Sequence, residues 1–182
     1  YSNLYLIKTD GNGVEQWNQS YGGTFPDQGF SVQQTTDGGY IICGGTNNGV
    51  DSDVYLIKTD GNGVEQWSQT FGVGNNVWGR SVQQTTDGGY IICGNRPFDI
   101  YLIKTDGNGD SLWTKVYDGS DPRSFVQQTT DGGYIITGST YVSGNHHDVY
   151  LIKTDGNGDS LWSKTFGGID IDRGFSVQQT TD

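Results

Sequence analysis

Two stretches of the chain place acids at the alternate positions a hard cation uses. Asp106, Asn108 and Asp110 form Asp-x-Asn-x-Asp, and Asp155, Asn157 and Asp159 repeat it. Oxygens spaced this way can wrap calcium. The Glu that closes such a loop at its far end is absent, however, and Tyr117 and Phe166 stand there. Related stretches carry Val14 and Val64 in place of the third acid. A hairpin turn explains the pattern better, with calcium as the alternative. His146, His147 and Asp148 are consecutive, so their side chains diverge, and no Cys or further His lies at ligand spacing nearby. No metal site is expected from them. Gly11-Asn12-Gly13 precedes a strand pattern and not a helix, which is the wrong context for a phosphate-binding loop. Cys43 and Cys93 occupy equivalent places, with Thr137 in the next copy, and read as small buried residues, not a disulfide. Asn18-Gln19-Ser20 is a glycosylation sequon that occurs once. Catalysis needs asymmetric groups in distinct roles. This chain offers copies, so no catalytic residue and no cofactor is expected.

The copies come from a long repeat. Tyr-Leu-Ile-Lys-Thr-Asp-Gly-Asn-Gly begins at Tyr5, Tyr55, Tyr101 and Tyr150, with spacings of 50, 46 and 49 residues. Val-Gln-Gln-Thr-Thr-Asp begins at Val32, Val82, Val126 and Val177, and the first three copies run on into Gly-Gly-Tyr-Ile-Ile. Within one unit, strands are expected at Ser31 to Thr36, Tyr40 to Thr46, Asp53 to Thr59 and Glu65 to Phe71. Asp37-Gly38-Gly39 and Asp60-Gly61-Asn62-Gly63 join them in pairs and supply the positive φ of tight hairpins. Val, Ile, Tyr, Thr and Trp dominate the strands, and no period of 3.6 is sustained. The fold class is therefore all-β. Four antiparallel strands in a unit of 46 to 50 residues is the pattern of a β-propeller blade.

The stretch Ile7 to Trp17 resembles the tryptophan-docking motif of quinoprotein-type propellers, in which a hairpin Gly precedes a Trp by four residues. Gly13/Trp17, Gly63/Trp67, Gly109/Trp113 and Gly158/Trp162 keep that spacing. Ile and Thr stand where that family has Ala and Asp, so the match is partial, and its cofactor ligands have no counterpart here. The whole unit is similar to propeller repeats of secreted and cell-surface proteins of bacteria and archaea. That resemblance implies a propeller fold and an extracellular or cell-surface setting, without a defined activity. A Trp with a large apolar face and one N–H suits a seam between blades, where a Gly opposite lets the ring approach backbone.

The repeat divides the chain into a partial blade over 1–21, blades over 30–71, 80–117 and 125–166, and a lone inner strand over 175–181. Head and tail together lack one strand, the counterpart of Gly38 to Asp51. A longer array, a missing stretch or a strand from a neighbouring subunit are the three explanations, and unpaired edges favour self-association. The repeated turns belong to one face and the divergent connections to the other. Loops on a rigid scaffold commonly carry binding specificity. Trp78, Phe98, Arg96, Arg123, Tyr141 and Arg173 are expected there as ligand-binding candidates, with a protein or a glycan as partner.

Composition narrows the partners. The chain has 182 residues, 30 of them Gly, no Met, and 10 Lys plus Arg against 21 Asp plus Glu, a net charge of −11. Such a surface repels phosphate backbones and anionic lipid, so no nucleic acid is expected. No apolar run reaches the roughly 20 residues of a membrane span, so no insertion is expected. No signal peptide is visible and the chain begins at Tyr1, which reads as a mature or excised product.

Overall fold

The computed structural model describes residues 3–72, 76–96, 99–119, 123–142 and 146–181. Among them are fourteen strands and no helix. The first sheet is the hairpin β1 (Leu4–Thr9) and β2 (Glu15–Tyr21). The second runs β3 (Asp27–Gln34), β4 (Tyr40–Asn47), β5 (Ser52–Thr59), β6 (Glu65–Phe71). The third runs β7 (Trp78–Gln84), β8 (Tyr90–Arg96), β9 (Asp99–Thr105), β10 (Ser111–Asp118). The fourth runs β11 (Phe125–Gln128), β12 (Tyr134–Val142), β13 (His146–Thr154), β14 (Ser160–Phe166). Every pairing is antiparallel between chain neighbours, as hairpins joined by two to five residues must be.

Local chemistry sets the turns. Gly38, Gly88 and Gly132 take φ of 83 to 85°, which a side chain would resist. In each turn an Asp (Asp37, Asp87, Asp131) accepts the N–H two residues on, at 3.0 Å. The second strand of each unit reads as a continuous apolar run because both of its faces are covered: Ile41, Ile42, Cys43, Ile91, Ile92 and Cys93 are all buried. Both cysteines are free thiols.

The sheets stack face to face, and each seam has its own apolar cluster. Leu4 and Tyr21 meet Ile42 and Ile57 between the first two sheets. Ile41, Leu56 and Val54 meet Val82, Tyr90 and Ile103 between the second and third. Ile91 and Leu102 meet Val126, Tyr134 and Ile152 between the third and fourth.

Two boundaries differ from the sequence expectation. β3 and β7 start at Asp27 and Trp78, ahead of the expected 30 and 80, because a register shift at Gly29/Ser31 and Gly79/Ser81 lets the pairing continue. Residues 175–181, expected as a lone inner strand, form no strand: among the described residues no ladder pairs them with another strand. Among the described residues no helix is long and apolar enough to cross a membrane.

Candidate functional site

The two ends of the sheets use their polar residues differently. At the end with the repeated turns, a lysine enters the interior of each complete sheet. Lys58 and Lys104 are 4% and 3% exposed. Lys58 Nζ donates to Asp37 at 2.8 Å, to the Thr59 carbonyl at 2.8 Å and to Gln66 at 3.1 Å. Lys104 and Lys153 make the same bonds to Asp87 and Asp131 and to the Thr105 and Thr154 carbonyls. Each clamp ties the turn after the first strand to the end of the third. The hydrogen bonds from Lys58 and Thr35 hold the Asp37 carboxyl well below the usual range. Burial alone would raise Asp87, but bonds from Thr85, Lys104 and the Gly89 N–H outweigh it and bring it to about 2.

A second repeated device runs along the first strands. Gln33, Gln83 and Gln127 accept the backbone N–H of Gln84, Gln128 and Gln179 at 2.6, 2.6 and 2.9 Å. In return Gln84, Gln128 and Gln179 accept the N–H of Thr36, Thr86 and Thr130, each at 2.9 Å. Side chains therefore bridge first strands that lie side by side without forming a ladder. This belt holds residues 177–180 beside β11 although they form no strand. Sequence reading missed both devices. The available signal was a Lys recurring inside an apolar strand, and an adjacent Gln pair recurring on one.

The acids of the suspected calcium loops serve their own turns. Asp106 Oδ1 accepts the N–H of Asn108 and Asp110 at 2.8 and 2.9 Å, and Asp155 does the same for Asn157 and Asp159. Asp10 and Asp60 make the same bonds to turns that end in Val14 and Val64. The third acid is thus not what the turn requires. Asp159 instead meets Lys115 of the preceding sheet at 2.6 Å.

Trp17, Trp67 and Trp113 lie at the seams, and each covers the glycine of the following unit. A Cβ on Gly63, Gly109 or Gly158 would stand 2.7 to 2.8 Å from the ring of Trp17, Trp67 or Trp113. The same rings meet Tyr40, Tyr90 and Tyr134 edge-on, with centroids 5.6, 5.8 and 5.9 Å apart. Gly13 and Trp162 are the unmatched ends of this series: nothing lies within 4 Å of a Cβ on Gly13, and Trp162 is 43% exposed.

At the opposite end the divergent connections meet one another. The N–H of Asn47, Val77 and Asp172 reach the carbonyls of Pro26, Ser52 and His147 at 3.2, 2.9 and 2.6 Å. Trp78, expected in an open loop, instead begins β7, half-buried over Gly45 and 5.9 Å from the Phe30 ring. Arg96 ends β8 and pairs with Asp99 at 2.8 Å. Arg123 lies 5.1 Å from the Phe175 ring centroid. Tyr141 lies in β12, 52% exposed, with its ring 4.1 Å from that of His147. Arg173 is exposed in the segment after β14, and Phe98 falls outside the described residues. The described candidates share an end of the molecule.

The fold thus defines an all-β repeat protein whose copied polar groups serve its own architecture. No protein-family model matches the sequence, and no curated protein matches it. Among solved structures the chain is similar to a protein of unknown function from Bacteroides caccae, with a TM-score of 0.52 and 12% identity over 92% of this chain and 78% of that one. At that identity the likeness concerns the fold alone.

Proposed function

We propose that the chain is a run of β-propeller blades of the kind found in secreted and cell-surface proteins of bacteria and archaea. It serves outside the cell as a non-catalytic scaffold that binds a protein or glycan through its divergent end. Face-to-face packing of four-stranded meanders, with first strands side by side, supports the propeller reading. One observation carries the functional reading: the Gln, Lys and Asp copies are committed to belt, clamps and turns, so chemical variety is concentrated at the other end. There the exposed Tyr141 ring beside His147 offers an aromatic platform, and Arg96 and Arg173 offer planar donors.

Glycan and peptide arrays probed with the whole chain test this. A ligand is expected whose affinity falls at least tenfold in Tyr141→Ala or Arg173→Ala, typical of a central aromatic or Arg contact. Arrays without a binder, or a binder indifferent to both changes, count against the reading.

A second reading, a structural building block, draws on the unmatched seam halves: exposed Tyr5, Ile7 and Val32 at one end, Trp162 and Phe166 at the other. Light scattering over a range of concentrations separates the two, since a building block grows in mass and a monomeric binder does not.

A further inference from the structure

Asn18-Gln19-Ser20 is the one Asn-x-Ser/Thr stretch of the chain, and it lies within β2. We propose that Asn18 is the acceptor of an Asn-linked glycan carried on the outer rim of the first sheet. An Asn with a hydroxyl two residues on, and no Pro between, is the pattern that oligosaccharyltransferases read. The inference rests on the extracellular reading, because that enzyme class acts on chains crossing a membrane.

The strand sorts its side chains by parity. Trp17 and Gln19 stand over Gly63, and Tyr21 donates its hydroxyl to the Gly63 carbonyl, so these residues face the second sheet. Gln16, Asn18 and Ser20 alternate with them and are exposed. The amide and the hydroxyl of the motif therefore share the solvent face. β2 pairs only with β1, and β6 and β10 likewise stand at the edges of their sheets. This place on the rim stays open where another sheet precedes it. Of the counterparts of Asn18, Ser68 is half-buried and Thr114 exposed; Thr70 and Val116, the counterparts of Ser20, are both exposed. Access to Asn18 is thus a property of outer strands, not of the first sheet's position. Its Nδ2 donates to Glu15 Oε1 at the surface, a bond that water can replace at little cost.

In the transfer, the C1–O bond of a lipid-linked oligosaccharyl diphosphate breaks and the diphosphate leaves with the electron pair. An Nδ2–C1 bond forms, and the amide gives one proton to a base of the transferase. The glycan then lines the unpaired edge of β2 with a bulky hydrophilic group, which blocks strand addition there and leaves the divergent end open.

The whole chain, translated behind a cleavable signal sequence into microsomes that hold the transferase and its donor, tests this by intact mass before and after treatment with a glycan-releasing amidase. One glycan per chain is expected, lost in Asn18→Gln and in Ser20→Ala, and the amidase should leave Asp where Asn18 stood. Ser163→Asn, which makes the same motif with Thr165 on the fourth sheet, should add a second glycan and serves as the positive control. The glycosylated chain should keep the urea midpoint of the bare one. An unmodified parent chain overturns the proposal, as does a glycan that survives Asn18→Gln. So does a glycosylated chain whose midpoint drops, which would place Asn18 on a covered surface. The microsomes impose the compartment, so each of these failures is distinct from a failure of the extracellular reading, which the mass of the chain from its own source and its location there would reveal.

Discussion

Trp113 and Trp162 hold the same position in the third and fourth sheets, after turns of the same sequence and before the same kind of strand. Trp113 is half-buried, packed on Gly158 and against Tyr134. Trp162 looks out over a groove. The two differ in their surroundings: a further sheet packs on Trp113, and among the described residues none packs on Trp162. In a repeat architecture a residue's contribution belongs to the interface with its neighbour, not to the unit that encodes it.

The largest contrast should appear on truncating the two rings. Trp113→Ala removes a seam aromatic and leaves a cavity over Gly158, which should cost about 2 to 4 kcal/mol, somewhat below the range for a fully buried Trp. Trp162→Ala should cost less, about 1 to 2 kcal/mol, since 43% of its surface already faces solvent. Urea unfolding of both variants checks this. Equal losses would mean that the fourth sheet has a partner in solution.

The glycines facing these rings sharpen the comparison by separating backbone strain from packing. Gly13 and Gly109 take similar positive φ, 79° and 84°. Alanine at either position meets the left-handed penalty of about 1 kcal/mol. Only at Gly109 does the new methyl also strike a ring, that of Trp67 at 2.7 Å. Gly109→Ala should therefore destabilise by about 2 to 3 kcal/mol and Gly13→Ala by about 1. A thermal-unfolding series that ranks them equally would show that φ alone sets the cost and that the ring yields.

What was legible in the sequence was local. Asp-Gly-Gly and Asp-Gly-Asn-Gly specify their hairpins through groups a few residues apart, so β4 to β6 fall within a residue of expectation. A recurring Trp marks a seam, because a ring that size at one place in every unit must be covered by something repeated. The recurring Lys was visible in the sequence, but the partner and the burial of Lys58 and Lys104 were not. These depend on an Asp about twenty residues earlier and on the neighbouring sheet that shuts out water. The Gln belt links residues 42 to 52 apart, so the recurring Gln pair marks it only once the repeats are set side by side. Trp78 was misplaced for a related reason: its flanking Asn and Gly read as loop, while the register shift after Gly79 draws the segment into a ladder. The binding candidates at the divergent end rest on residue type alone, with no repeat to fix their neighbours.

The smallest expected effect concerns acid, and it sets the clamped end of the sheets against the divergent end. Asp37, Asp87 and Asp131 all have their carboxyls pulled down by hydrogen bonds, with Lys58, Lys104 and Lys153 among the donors. A carboxyl lowered in the folded state contributes stability that is fully present above its unfolded value of about 3.9. That contribution is lost as pH falls through the folded value, about 2 for Asp87. The window therefore lies below pH 4, with nothing expected from these groups near neutrality. The three side chains are 56 to 59% exposed, so solvent and salt screen each clamp and the gain per clamp is modest. Urea midpoints measured from pH 5 down to pH 2 should fall for the parent chain. They should fall less steeply for the triple variant Asp37→Asn, Asp87→Asn, Asp131→Asn, which starts lower and has less to lose. Added salt should narrow the difference. Parallel slopes for the two chains would place the acid sensitivity outside the three clamps.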